Sequence, residues 1–302
     1  MSISNSVRPS HHLPAPSAIL ELLKPITWFP PMWAFMCGVV SISQPASSHI
    51  GTIFLGVLLT GPLVCATSQA VNDWFDREVD AINEPHRPIP SGRIPGRWGL
   101  YIGIAWTVLS LCVAAVLGKV VIAATVVGLI LAWVYSAPPL RLKQNGWFGN
   151  TAVGACYEGL PWITGAAILS AGQMPDGRII TMAALYSAGA VGIMILNDFK
   201  SIKGDTELGL KSIPVQLGAV NSARFACVVM TAAQVVVVGL LFVWGQVVIA
   251  SIVSLSIFIQ ISLMRRFLTD PEGLAPWYNK TGISLYVSGM LATAIALRIL
   301  IP

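Results

Sequence analysis

The sequence predicts an all-α integral membrane protein, with about nine transmembrane helices around a central cavity open to the cytoplasmic side. Of its 302 residues, 55% are hydrophobic and only 10% are charged, against roughly 25% charged residues in a soluble domain. The mean hydropathy of +0.74 agrees with this class. The chain also contains a series of apolar runs of about 20 residues, the length that a helix needs to cross a bilayer.

The apolar runs number nine, and the shortest connections between them, near Gly118 and Gly245, predict tight helical hairpins. The runs lie at 26–45, 49–71, 98–117, 119–136, 150–171, 178–198, 222–244, 246–265 and 280–300. Longer charged connections lie at 72–97, 137–149, 199–221 and 266–279. We interpret residues 1–302 as a single transmembrane domain, with residues 1–20 as a disordered cytoplasmic tail.

The basic residues predict the orientation. With a cytoplasmic N-terminus and nine crossings, Lys119, Arg178 and Arg298 lie outside, and the other 15 of the 18 Lys and Arg residues lie inside. This asymmetry follows the positive-inside rule. The expected partner of such a chain is the lipid bilayer, and the net charge of +5 reflects topology and anionic ligands, with no nucleic acid. We expect a multi-pass protein of the inner cell membrane, cytoplasmic or photosynthetic.

A cluster of acidic residues follows the second span. Asp73, Asp76 and Asp80 are spaced by three and then four residues, which places them on one face of a helix. Three like charges on one face resist ionisation unless a positive group lies between them, and Mg²⁺ prefers such oxygen ligands. The alternative is a solvated helix end at which Arg77 pairs with a neighbour.

A second acidic cluster follows the sixth span, where Asn197-Asp198 repeats the Asn72-Asp73 pair and Asp205 follows. Two carboxylate clusters at cytoplasmic helix ends suit a diphosphate clamp, in which carboxylates hold Mg²⁺ and basic groups hold phosphate oxygens. The candidate diphosphate-binding residues are Arg77, Arg87, Arg93, Tyr135, Arg141, Lys143, Lys200 and Lys203. For Arg141 and Lys143, plain anchoring at the cytoplasmic surface is the alternative.

The motifs together resemble those of the UbiA-type intramembrane prenyltransferases. The resemblance rests on Asn72-Asp73-x-x-Asp76-x-x-x-Asp80, on Arg87-Pro88 and Ser91-Gly92, and on the stretch from Asn197-Asp198 to Gly209 and Lys211. It covers essentially the whole chain and implies a Mg²⁺-dependent prenyltransferase that uses a prenyl diphosphate. It implies a catalytic set of Asn72, Asp73, Asp76, Asp80, Asp198 and Asp205, with Asp73, Asp76, Asp198 and Asp205 as metal ligands.

One position departs from the family pattern. Many members have an aspartate where this chain has Ser201. Asp198 and Asp205 would then share the second cluster. The histidines His11, His12 and His86 lie outside the predicted spans, and His49 lies at the outer edge of the second one, so the chain offers no obvious imidazole base within the membrane.

Within this family, several segments are similar to the branch of chlorophyll and bacteriochlorophyll synthases. They are Lys24–Pro31, Gln69–Asp73, Asp80–Pro85 and Tyr135–Pro139, and Phe29-Pro30 favours the bacteriochlorophyll branch. The resemblance implies a bacteriochlorophyllide acceptor and a geranylgeranyl or phytyl diphosphate donor. Chlorophyllide, a quinone precursor and haem stay open as other acceptors. An acceptor carboxylate is already ionised at neutral pH and needs no strong base.

Four residues are candidates for acceptor binding: Phe29, Trp33, Glu158 and Trp162. Glu158 lies roughly two turns into the fifth span, where a carboxylate is costly and usually faces a cavity. Its alternative is a hydrogen bond to a neighbouring helix, and the alternative for the aromatic residues is the membrane interface. A transporter with acidic sites is a competing class, but transporters place charged groups near the midplane. No residue indicates a protein partner.

Overall fold

The computed structural model describes residues 13–301, and within this range every regular element is a helix. The helices are α1 (Pro16–Leu23), α2 (Phe29–Val40), α3 (Ile50–Leu58), α4 (Ala66–Asn83), α5 (Trp98–Leu117), α6 (Lys119–Ser136), α7 (Gly146–Gly154), α8 (Leu160–Leu169), α9 (Gly177–Asp198), α10 (Ile202–Glu207), α11 (Ile213–Leu217), α12 (Ala219–Val243), α13 (Val247–Phe267) and α14 (Pro271–Leu300). The all-α prediction is confirmed for this part of the chain.

Within residues 13–301, seven helical segments are long and apolar enough to cross a membrane, by length and composition. The first predicted span instead contains the twelve-residue helix α2. The fifth contains α7 and α8, which are joined by the π-helical segment Ala155–Gly159. The structure therefore supports a many-helix membrane protein, and the count of nine spans stays a prediction.

Two predicted loops are largely helical. The connection predicted at 266–279 contains the first turns of α14, because the Asp270 side chain accepts a hydrogen bond from the Gly273 backbone and Pro271 occupies the first helical position. Both features favour a helix start. The connection at 199–221 contains the short helices α10 and α11. Charged composition indicated a loop here, but local capping determines the backbone.

The N-terminal segment differs from the predicted disordered tail. Residues 1–12 lie outside the described range, but residues 16–20 belong to helix α1. Ala18 and Leu22 are buried in a small cluster with Ile94 and Ile102. Helix α1 has an apolar face. This face packs against α4, α5 and the loop between them.

The second long span bends through a π-helical segment, Leu59–Cys65, between α3 and α4. Pro62 lies inside this segment and has no N–H with which to continue the α-helical ladder. In the fifth predicted span, Pro161 is the second residue of α8, which follows the π-helical segment Ala155–Gly159. Segments of this kind widen the helical turn and are frequent at functional sites.

Small residues allow the main helices to pack closely. A Cβ atom at Gly165 would lie 2.0 Å from the Phe35 carbonyl oxygen, and one at Gly38 would lie 2.0 Å from the Trp162 carbonyl oxygen. The backbones of α2 and α8 therefore touch, as small residues permit in membrane helices. This contact holds α8 against α2, and so the fifth predicted span against the first.

The glycine contact predicts a specific loss of stability. Gly165→Ala places a methyl group where backbone atoms leave no room, so we expect destabilisation of about 1–3 kcal/mol from overpacking. Gly239→Ala is the control, because nothing lies within 4 Å of a Cβ atom there. The control should be neutral or slightly stabilising, since alanine is the better helix former. Thermal unfolding of the two purified variants in detergent measures the difference, and equal midpoints would contradict the packing.

Candidate active site

The principal cavity has a volume of about 430 Å³ and brings the two predicted motifs together. Asn72 at the end of the second span lines it on one side, and Asn197 and Asp198 at the end of α9 line it on another. Tyr135 of α6 and Asn150 of α7 complete this polar end. Asn72 of the first pair and both residues of the second pair, which lies 125 residues further along the sequence, therefore share one space.

The three aspartates of α4 are each held by basic side chains from other segments. Lys24 Nζ lies 2.6 Å from Asp73 Oδ1, and Arg87 Nη1 lies 2.9 Å from Asp80 Oδ2. Asp76 pairs with Arg141 at 3.2 Å and also with Lys143. The predicted repulsion between these carboxylates is thus relieved within the protein, by cations from three separate segments.

Burial determines how firmly these cations hold their charge. Arg87 also lies 3.6 Å from Asp73. Burial lowers the pKa of Arg87, but Asp73 and Asp80 outweigh this, so its pKa is raised and the guanidinium stays charged. Burial lowers the pKa of Lys143, and Asp76 opposes that shift. Lys143 is therefore the cation whose charge depends most on keeping a carboxylate partner.

The second motif is arranged differently. Asn150 Nδ2 donates to Asp198 Oδ2 at 3.0 Å. Ser201 Oγ lies 3.0 Å from both the Asp198 carbonyl oxygen and Asp205 Oδ2, so its one proton serves either acceptor. The serine that replaces the family aspartate therefore lies between the Asp198 backbone and the Asp205 carboxylate. Lys200 lines the cavity, whereas Lys203 is exposed.

Tyr135 lies between the two motifs. Its phenol is near enough to Asp76, Asp198 and Asp205 to experience the charge of all three. It also lines the cavity. Its position therefore agrees with the predicted contact to a ligand that both motifs share.

Two predicted diphosphate ligands are engaged elsewhere. The Arg77 guanidinium lies 4.3 Å above the Trp74 ring and pairs with Glu78 at 3.2 Å. Arg93 forms two hydrogen bonds to Glu21, at 2.5 and 2.8 Å. This contact lowers the pKa of Glu21 and raises that of Arg93. The contacts of Arg77 match the alternative interpretation, a helix end stabilised by local charge pairs. Arg93 connects the loop after α4 to α1 through Glu21.

The predicted acceptor residues do not line the main cavity. Trp162 is fully buried in the core, where it donates to Ser41 Oγ at 3.0 Å and stacks on Tyr186 at 5.5 Å. Glu158 is buried as well, and its Oε2 has no hydrogen-bond partner. Both residues thus lie in the protein interior outside the lining of the main cavity, and their role in acceptor binding stays a prediction.

The aromatic pair on the first span lies at the edge of the bundle. Phe29 is 57% exposed and stacks on Trp33 with ring centroids 5.9 Å apart. Trp33 Nε1 donates to the Val287 carbonyl oxygen at 3.1 Å. Pro30, which does line the cavity, occupies the first turn of α2, where a missing N–H costs nothing.

Sequence reasoning missed several polar residues of the site. Lys24 was counted only as a topological charge, yet it neutralises the buried Asp73. Asn150, Gln69 and Tyr157 line the cavity without belonging to an acidic motif. The available signal was position: Lys24 precedes Pro25 at the start of the first span, and basic residues at such ends are ordinarily read as topology.

The site can accept a divalent cation together with an anionic substrate. No group of three or more His, Cys, Asp and Glu side chains within residues 13–301 is arranged to hold a metal alone. Asp73 Oδ2, however, is buried without a hydrogen-bond partner, and Asn and Asp oxygens line the cavity. Mg²⁺ typically takes one or two carboxylates and completes its shell with waters and substrate phosphates. The donor set fits that requirement.

Comparison with known proteins identifies the family. The chain is 53% identical over 298 residues to the bacteriochlorophyll synthase 33 kDa chain of Cereibacter sphaeroides, covering 99% of this chain and 98% of that protein. It is 38% identical over 288 residues to the chloroplastic chlorophyll synthase of Oryza sativa subsp. japonica, covering 92% of this chain and 76% of that protein.

A solved structure shares the fold. The UbiA homolog from Archaeoglobus fulgidus bound to GPP and Mg²⁺ has a TM-score of 0.64 at 21% identity, covering 93% of this chain and 99% of that one. The UbiA prenyltransferase family model matches residues 29–287. With two Asn-Asp motifs on one cavity inside an all-helical membrane bundle, the chain belongs to the UbiA prenyltransferase family.

Proposed function

We propose that this protein transfers a prenyl group from geranylgeranyl or phytyl diphosphate to the propionate carboxylate of bacteriochlorophyllide a. The observation that carries the proposal is the near full-length identity to a bacteriochlorophyll synthase, which at 53% exceeds the 38% to a chlorophyll synthase. The meeting of both motifs in one cavity provides a place for the reaction. The product is an ester, the form in which the pigment gains its hydrocarbon tail.

The residues of the cavity act mainly through charge. Arg141 and Lys143 on one side and Lys200 on the other supply positive groups for the oxygens of a diphosphate. Asp73, Asp76, Asp198 and Asp205 supply carboxylates for Mg²⁺, with Asn72 and Asp80 assisting. Mg²⁺, when bound, neutralises charge that develops on the departing diphosphate. Preorganised charge of this kind is usually the largest catalytic contribution.

The remaining chemistry asks little of the protein. Breaking the allylic C–O bond leaves a carbocation that water would consume, and the apolar walls below the polar end exclude water. The acceptor carboxylate carries the attacking electron pair and has no proton to lose. The two described histidines, His49 and His86, are absent from the cavity lining. This arrangement matches an acceptor that needs no general base.

The polar end of the cavity faces the cytoplasm in our proposal, with the N-terminus on the same side of an inner cell membrane. The basic residues that pair with the aspartates, Lys24, Arg87, Arg141 and Lys143, lie on the side that the positive-inside rule assigns to the cytoplasm. A soluble prenyl diphosphate head and a membrane-dissolved tail would then both reach the site.

The first prediction from the proposed function tests the role of Asp76 in binding the metal and the diphosphate. Asp76→Asn keeps the side-chain volume but leaves Arg141 and Lys143 without a carboxylate. We expect turnover to fall at least about 100-fold, as for the loss of one electrostatic element. Glu78→Gln is the matched control, because Glu78 lies on the same helix with its side chain 85% exposed.

The measurement is turnover against Mg²⁺ concentration, with folding checked by gel filtration and thermal unfolding. Chelation with EDTA should abolish wild-type activity, and added Mg²⁺ should restore it. Near-normal turnover of folded Asp76→Asn at limiting Mg²⁺ would contradict the assignment.

The second prediction concerns the acceptor. Geranylgeranyl diphosphate and Mg²⁺ are supplied with bacteriochlorophyllide, chlorophyllide or 4-hydroxybenzoate, and the products are identified by mass. We expect the bacteriochlorophyllide ester as the main product, less of the chlorophyllide ester, and no prenylated benzoate. Discrimination between the two chlorins should be modest, because a shape contact is worth about 1–3 kcal/mol. Prenylation of the benzoate, or no reaction with either chlorin, would overturn the pigment assignment.

The third prediction tests the orientation. In a variant whose exposed native Cys112 is replaced by serine, single cysteines are introduced at the exposed positions Ser91 and Ser47. Ser91 lies in the loop after α4, and Ser47 lies before α3 at the other end of the same span. A membrane-impermeant maleimide should label Ser91→Cys only from the cytoplasmic side and Ser47→Cys only from the opposite side. The reverse pattern would invert the proposed topology.

A further inference from the structure

A second, smaller pocket of about 30 Å³ lies beyond the main cavity, between the same helices. Leu59 of the first π segment, Ala124 of α6 and Thr164 of α8 belong to its wall. These residues are further from the cytoplasmic helix ends than Asn72, Tyr135 and Asn150, which line the main cavity. The small pocket is therefore the deep continuation of the same space.

Four residues line both spaces: Thr60, Val64, Gly128 and Cys156. We call this shared ring the neck. It is contributed by the first π segment, by α6 and by the second π segment. Any ligand that extends from the polar end into the deep pocket has to pass through the neck.

The wall of the deep pocket is largely apolar, and two of its threonine hydroxyls already donate to backbone carbonyl oxygens. Thr60 Oγ1 donates to the Gly56 carbonyl oxygen at 3.0 Å, and Thr164 Oγ1 donates to the Leu160 carbonyl oxygen at 2.8 Å. The lining contains no Asp, Glu, Lys, Arg or His. Because this lining is largely apolar, an apolar chain can enter it at little cost in unsatisfied polar groups.

Gly128 is the smallest residue of the neck. A Cβ atom there would lie 3.6 Å from Leu160 Cδ1 and 3.7 Å from Val64 Cγ1, which are ordinary van der Waals distances. A methyl group would therefore just touch both neighbours, and any larger side chain would occupy the opening itself. The absence of a side chain at Gly128 is what keeps the neck open.

We propose that Gly128 determines the length of prenyl chain that the protein accepts, by keeping the deep pocket open to the end of a four-unit chain. This inference rests on the proposed prenyl transfer. Along α6, Gly128 lies seven residues from Tyr135 and Ala124 lies eleven, which is roughly 10 and 16 Å at the rise of an α-helix. A short chain ends before the neck, whereas a geranylgeranyl chain extends through it.

The test compares geranyl, farnesyl and geranylgeranyl diphosphate as donors, with bacteriochlorophyllide as acceptor and kcat/KM as the readout. We expect Gly128→Leu to lower the ratio of geranylgeranyl to geranyl transfer by about ten-fold or more, as for the loss of several methylene contacts. Leu160→Ala in the same chain removes the facing side chain. The double variant Gly128→Leu/Leu160→Ala should therefore regain geranylgeranyl transfer.

A control and a second variant complete the test. Gly239→Leu makes the same change at an exposed helical position with nothing within 4 Å, and it should leave the donor ratio unchanged. Ala124→Leu narrows only the deep pocket and should reduce geranylgeranyl transfer while farnesyl transfer is retained. This variant also carries the test if Gly128→Leu does not fold.

The outcomes separate the two proposals. Equal losses with all three donors in Gly128→Leu or in Ala124→Leu would overturn the role of the neck, as would an unchanged donor ratio in both. If the folded wild-type protein transfers no prenyl group to any acceptor, the proposed function itself fails. A wild-type protein that is active and variants that keep its donor ratio would refute only the inference about Gly128.

Discussion

The neutralisation of the three aspartates on α4 organises the surrounding structure. Asp73 and Asp80 are buried, and a buried carboxylate without a partner would cost several kcal/mol. Its partners come from distant parts of the chain: Lys24 before the first span, Arg87 in the loop after α4, and Arg141 and Lys143 after α6. Three irregular segments are thereby fixed around one end of α4.

The same ion pairs prepare the site for an anionic substrate. Each cation is already positioned and partly desolvated, so little ordering is needed when phosphate oxygens arrive. If these carboxylates coordinate Mg²⁺, the basic side chains that were paired with them need new negative partners. The oxygens of a diphosphate supply such partners. The charge of Lys143 depends on such a negative partner, because burial lowers its pKa and nearby Asp76 opposes that shift. Metal and diphosphate are therefore expected to bind as one unit.

Some of this arrangement could be predicted from sequence and some could not. The helices, the acidic face of α4 and the pairing of the two Asn-Asp motifs follow from apolar length and from helical spacing, which are local properties. Lys24 and Asp73 are 49 residues apart and meet only through packing, so no local pattern announces their contact. Trp162 was assigned to the acceptor wall by its position, but α8 is almost entirely apolar, and the sequence of such a helix does not reveal which face it buries.

The two π segments explain why a cavity exists between such closely packed helices. They lie on different spans, yet both contribute to the lining: Thr60 and Val64 from one, Cys156 and Tyr157 from the other. Tyr157 reaches towards the second span, with its hydroxyl 3.7 Å from Cys65 Sγ and 3.5 Å from Gln69 Nε2. A regular α-helix at either position would present a different face and a narrower turn to its neighbours. Pro62 and Pro161 interrupt the regular helices beside this cavity. The space that results has polar and charged residues at one end, where an anionic ligand can bind.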